Sequence, residues 1–238
     1  MTPIHLCGFE ARATLQKADR MALYHLYEDR HTNSVGVSQN ERGLFALVEL
    51  FLLTAILVGV VFTVYVDAVI LGNGLSESSI TENLHNLFIL ASSLAFIAGA
   101  VRFPEKRGYL AIVGTLFMGL FIRENDVWFD FIWQGFWQVP AAIALVIGST
   151  VVWRNRETVT EPFFQHFDSR YFTFVYLGFL LLVVFSRLFG TSAIWEAVMQ
   201  GAYTPGFKTV IQEGLELLGY TIVFYGSLMS LWNRFGDR

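Results

Sequence analysis

Long runs of apolar residues dominate this chain, and its polar residues fall in short clusters between them. A membrane-crossing helix needs about 20 predominantly apolar residues. Six segments approach that length: Gly43 to Leu71, Leu84 to Val101, Tyr109 to Ile122, Gln134 to Trp153, Tyr171 to Phe189 and Phe207 to Trp232. The pattern predicts an all-α fold, an integral membrane bundle of six transmembrane helices. The third segment is the shortest. It is expected to run on through Arg123 to Asp126 and carry charge to the membrane edge, with a broken or re-entrant helix as the alternative. Pro140 falls early in the fourth. In the second, Ala91, Ala95 and Gly99 recur every four residues, a spacing that lets helix backbones approach closely. Packing within the chain is the first reading of that stripe, and homodimerisation the second.

Orientation follows from the basic residues. Arg12, Lys17, Arg20, Arg30 and Arg42 precede the first segment. Arg102, Lys106 and Arg107 separate the second from the third. Arg154, Arg156 and Arg170 separate the fourth from the fifth, and Arg234 and Arg238 follow the sixth. Thirteen of the 16 basic residues therefore fall on one side of a six-span arrangement, leaving Arg123, Arg187 and Lys208 at helix ends on the other. Both termini are placed in the cytoplasm on that bias. Trp128, Trp133, Trp137 and Trp195 mark the outer interface, and Trp153 and Trp232 the inner one, as aromatic belts do. Three regions result: residues 1–42 as a cytoplasmic extension, 43–233 as the six-helix domain, and 234–238 as a cytoplasmic tail. Within the extension, Glu10 to Arg30 is expected to be helical, with Leu15, Ala18, Ala22 and Leu26 on one face; His31 to Asn40 reads as a linker. That helix rests on the membrane or bundle, or alternatively docks a protein partner.

Composition agrees with the apolar pattern. Of 238 residues, 54% are hydrophobic and 15% charged, against about 45–50% and about 25% in soluble domains. The lipid bilayer is the partner this demands. The basic residues are too few and scattered for nucleic-acid binding. A single cysteine, Cys7, excludes an internal disulfide and a multi-cysteine zinc site. No cleavable signal peptide is evident before the first apolar run.

Ionisable groups inside a membrane are expensive and need partners, water or a function. Most lie toward the outer ends of their helices: Asp67, then Glu82, His85 and Asn86, then Arg123, Glu124, Asp126 and Asp130, then Arg187 and Glu196, and finally Lys208, Gln212, Glu213 and Glu216. Glu49 is the main exception. In the last segment Gln212, Glu213, Glu216 and Tyr220 share one face of a 3.6-residue repeat. Glu216 falls about 13 Å inward from Phe207, so it must face the interior, hold a proton or meet a cation. Arg123, Arg187 and Lys208 are the cations at that level.

Three readings of the cluster compete. It is a structural ion-pair network, or an outward-facing pocket for a proton, cation or small polar solute, or a metal site. The pocket reading assigns Arg123, Glu124, Asp126, Glu213, Glu216 and Tyr220 to ligand or ion binding. The metal reading rests on Glu82 and His85, whose i, i+3 carboxylate–imidazole spacing occurs in di-iron helical bundles; such bundles use two of these motifs and only one is present. No His-Glu-x-x-His, Gly-x-Ser-x-Gly or Gly-rich phosphate loop occurs. The paired mid-membrane histidines of haem sites and the His-x-x-x-His element of alkaline-ceramidase-type membrane hydrolases are missing as well. His166 is placed in an inner loop.

The segments Arg123-Glu124-Asn125-Asp126 and Gln212-Glu213-Gly214-Leu215-Glu216-Leu217-Leu218-Gly219-Tyr220 resemble signatures in uncharacterised bacterial multi-pass inner-membrane proteins. The resemblance covers about twenty residues. It implies a small bundle in a bacterial inner membrane and no particular activity. The sequence reading thus ranks transport or ligand sensing above an enzyme. An accessory subunit of a membrane complex and a membrane-embedded metalloenzyme are the alternatives. No organic cofactor is predicted, and a metal ion is the inorganic candidate.

Overall fold

The computed structural model describes the backbone of residues 39–76 and 78–236, and the side chains of residues 43–76 and 78–231. The helix expected over 10–30, Cys7 and the last two residues lie outside them. Every described element is helical. The elements are α1 (Gln39–Tyr65), α2 (Ile80–Arg102), α3 (Arg107–Glu124), α4 (Asp126–Asp130), α5 (Gln138–Arg154), α6 (Thr160–Phe167), α7 (Arg170–Leu180), α8 (Ser186–Phe189), α9 (Ser192–Met199) and α10 (Pro205–Gly236). Two π-helical turns interrupt the series: Val66–Leu71 continues α1, and Leu181–Phe185 joins α7 to α8.

Four helices are long and apolar enough to cross a membrane: Gly43–Leu71, Ile80–Arg102, Arg170–Phe189 and Pro205–Leu231. The apolar helix α5 is shorter, at 17 residues, and α3, at 18 residues, carries Arg107, Arg123 and Glu124 at its ends.

The boundaries correct the sequence reading in three places. α1 begins at Gln39, inside the segment read as a linker. The third helix stops at Glu124 instead of running to Asp126. Asn125 turns its side-chain amide back onto the Phe121 carbonyl at 2.8 Å and also donates to Asn86 Oδ1. That side chain competes with the backbone for helical hydrogen bonds, and a new turn, α4, starts at Asp126. The fourth helix starts at Gln138, so Pro140 sits in its first turn, where a missing N–H costs nothing.

The chain divides into two compact units, Met1–Thr54 and Ala55–Arg238. The described part of the first is the leading portion of α1, where Leu44, Phe45 and Phe51 are exposed, as suits contact with lipid tails. In the second unit α5 packs on α3, α3 on α2, α2 on α10, and α10 on α7. Fully buried Ile89, Phe96, Phe117, Leu217 and Val223 form its centre. α7 and α10 meet at glycines. A Cβ on Gly178 would come within 2.8 Å of Val223, and one on Gly219 within 2.6 Å of Leu182. Of the small-residue stripe in α2, Gly99 faces Leu110 and Leu231 of the same chain, which is the packing use.

Candidate functional site

The site is built on the N-terminal end of α2, which is fixed from two directions. Ser79 Oγ accepts from Glu82 N–H at 3.1 Å, the usual N-cap bond. Asp67, fully buried in the π-helical turn, accepts from Ile80 N–H at 3.1 Å and from Thr81 N–H and Oγ1 at 2.7 Å each. Asn73 Nδ2 donates to it at 2.8 Å. A carboxylate on the free N–H groups of a helix start is favoured by hydrogen bonding and by the helix dipole. The first turn of α2 is therefore held rigidly, and Glu82 and His85 project from it three residues apart.

His85 is fully buried. Its Nε2 lies 3.2 Å from the main-chain carbonyl of Glu213 on α10. A carbonyl can only accept, so Nε2 carries the proton and donates. In its neutral form the ring then keeps its lone pair on Nδ1. Among the described residues that atom makes no hydrogen bond. It faces two further acceptors, Glu82 Oε2 at 3.4 Å and Glu213 Oε2 at 3.8 Å. One ligand atom from each of the three residues fits within a 4.8 Å cluster. The carboxylate side chains are 14% and 20% exposed, so the cluster opens to the protein surface on their side. Tyr220 closes the other side, its ring 5.3 Å from the imidazole.

A second group lies beside it. Glu216, one turn further along α10, is buried. Its Oε1 accepts from Gln212 Nε2 at 3.1 Å and stands 3.5 Å from Arg187 Nη2. Arg123 Nη1 donates to Glu124 Oε1 at 2.6 Å. Arg123, Glu124, Arg187, Glu216 and Tyr220 line one cavity of about 240 Å³. The π-helical turn Leu181–Phe185 precedes Arg187 by two residues; such turns re-aim the residues that follow and recur at functional sites.

The predicted residues come together in two groups. Glu213 lies against His85, whereas Glu216 lies against Arg187 and Gln212. Arg123 meets Glu124, its own chain neighbour, instead of Glu216. Asp126 begins α4 and contributes only charge near Arg123. Lys208 lies eight residues before Glu216, about 12 Å along the helix. Glu213 is the third member that the Glu82–His85 spacing could not supply, because a partner 128 residues away leaves no mark on local periodicity. His166 is also relocated. It is buried in α6, with Nδ1 2.7 Å from Tyr109 Oη and Nε2 2.9 Å from Ser230 Oγ. Both of its nitrogens are satisfied, in contrast with Nδ1 of His85. Comparison with known proteins adds no assignment: the chain matches no protein-family model, no curated protein and no solved structure.

Proposed function

We propose that this chain is a multi-pass membrane protein that binds a first-row divalent metal ion, such as zinc, through Glu82, His85 and Glu213 at the outer end of its bundle. One observation carries the reading: a fully buried imidazole nitrogen with no hydrogen bond faces two carboxylate oxygens. Three lone-pair atoms repel unless a cation lies between them. A proton on Nδ1 is the competing cation, and the 3.4 Å to Glu82 Oε2 is longer than the about 2.7–2.9 Å of a charge-assisted bond. Metal bonds of about 2.0–2.2 Å set tetrahedral ligand atoms about 3.3–3.6 Å apart; the Glu82 pair has that spacing, and the Glu213 oxygen, 3.8 Å from Nδ1, has to close by a few tenths of an ångström. The Nε2–H bond to the Glu213 carbonyl supplies the outer-shell contact that orients ligating histidines.

Three protein ligands leave a fourth position for water. That arrangement characterises catalytic zinc sites, whereas structural sites are closed by four protein ligands. A bound divalent ion lowers the pKa of such a water and makes it a nucleophile near neutral pH. The reading that follows is metal-assisted hydrolysis at the outer face. It ranks above proton or cation transport by a Glu213–Glu216 pair, because the contacts of each carboxylate are to different partners. The surrounding fold is read as six spans in a bacterial inner membrane with both termini cytoplasmic, on the basic-residue bias and the family resemblance. α3 and α5 supply the two additional spans, about 27 and 26 Å long against a hydrocarbon core of about 30 Å.

The test is a zinc titration of the purified, chelator-stripped protein by calorimetry. One equivalent should bind. His85→Gln should weaken binding by more than about 100-fold, beyond the loss typical of outer-shell changes. Glu82→Gln and Glu213→Gln should each weaken it by at least about tenfold, and Glu105→Gln, in the loop after α2, should not. Parent-like affinity in His85→Gln would sink the assignment.

A further inference from the structure

We propose that the cavity between Arg123 and Arg187 binds the anionic phosphate head of a membrane amphiphile. Its floor is apolar, formed by Leu120 and the buried Leu182, while the exposed Val183 and the two guanidinium groups line it nearer the surface. Both arginine side chains are nearly half exposed, at 46% and 45%, while the carboxylates paired with them are 12% and 5% exposed. Positive charge therefore faces the opening and negative charge lies behind it. A guanidinium has five donors in a fixed fork. The 3.5 Å separation of Arg187 from Glu216 exceeds the length of a charge-assisted bond, so most of the donor capacity of Arg187 is unspent. Oxygens of a phosphate match that fork.

Position argues for a ligand from the membrane. Arg123 is the second-last residue of α3, and Arg187 lies two residues before the end of α8. Each stands where a helix leaves the bilayer, at the level of lipid headgroups, and the apolar floor continues inward from there. A volume of about 240 Å³ holds a headgroup and the first methylenes, below the about 300–1,000 Å³ of sites that engulf a whole small molecule. Leu182 and Val183 both belong to the π-helical turn, so the same backbone irregularity lines the cavity and precedes the arginine. Tyr220 lines this cavity and its ring lies tilted 5.3 Å from that of His85, which sets the phosphate head next to the proposed metal centre. The inference rests on the membrane-spanning reading, but none of the three metal ligands lines the cavity.

The experiment measures binding of dihexanoylphosphatidic acid, below its micellar concentration, to the detergent-solubilised protein. The parent should show one saturable site, and inorganic phosphate should bind at least about 100-fold more weakly. Glu216→Gln releases Arg187 from its internal carboxylate and should tighten binding several-fold. Arg187→Gln combined with Glu216→Gln removes the pair together, leaves no uncompensated buried charge, and should weaken binding by about tenfold or more, the value of a lost charged hydrogen bond. His85→Gln should bind the amphiphile like the parent while failing to bind zinc, which separates this inference from the metal assignment. Parent-like binding in both Glu216 variants overturns the proposal. So does inorganic phosphate binding as tightly as the amphiphile, since the ligand would then be a soluble anion.

Discussion

Two histidines show how surroundings decide what an identical side chain does. Both His85 and His166 are buried. The nitrogens of His166 meet Tyr109 and Ser230, whereas Nδ1 of His85 meets only carboxylate oxygens. Burial disfavours the charged ring and pushes His166, in α6 outside the long apolar helices, down to about 4. Free histidine titrates near 6.5. Between those pH values the unfolded chain holds a proton that the folded chain refuses. The contribution of His166 to stability is therefore complete above about pH 6.5 and is lost as pH falls toward 4, by about 3 kcal/mol at most. Thermal unfolding from pH 7.5 to 4.5 should show that decline in the parent and a flatter profile in His166→Gln. An identical slope in the two proteins would remove His166 as its source.

At the scale of elements, the capped start of α2 is the device on which the site depends. Asp67 satisfies two backbone N–H groups and the Thr81 hydroxyl; Ser79 satisfies one N–H group. Hydrogen bonds to a charged group contribute about 1.5–3 kcal/mol, and a neutral N-cap about 1 kcal/mol. Asp67→Ala should therefore cost about 2–4 kcal/mol in thermal or denaturant unfolding, clearly more than Ser79→Ala, and equal losses would deny Asp67 its anchoring role. The apolar runs of α1, α2, α7–α8 and α10 were legible in the sequence, because about 20 predominantly apolar residues leave little choice but a membrane-length helix. The break at Asn125 was not legible as a certainty. It depends on a side-chain bond to Asn86 on another helix. Likewise the face shared by Gln212, Glu213, Glu216 and Tyr220 follows from helical period, but the period is silent on which neighbour each carboxylate meets. The tertiary packing of α10 between α2 and α7 sends Glu213 one way and Glu216 the other.

For the whole molecule, the proposed metal centre stands at one end of the helical bundle. On the topology proposed from the basic-residue bias, both ends of the chain lie on the side opposite that centre. A reporter fused after Arg238 should be active only if it functions in the cytoplasm, and periplasmic activity would invert the topology. The centre itself was half legible: Glu82 and His85 share a helix turn, while Glu213 and the orphaned imidazole nitrogen emerge only when α2 and α10 meet. A bound ion would stabilise the meeting of these helices as well as create a reactive water, because binding to the folded state alone adds to its stability. X-ray absorption at the zinc edge, on protein reconstituted with one equivalent, reads the proposed ligand set itself. A first shell of nitrogen and oxygen at about 2.0–2.2 Å is expected, with the multiple-scattering signature of a single imidazole, lost in His85→Gln. A shell containing sulfur at about 2.3 Å, or one unchanged by His85→Gln, would contradict it.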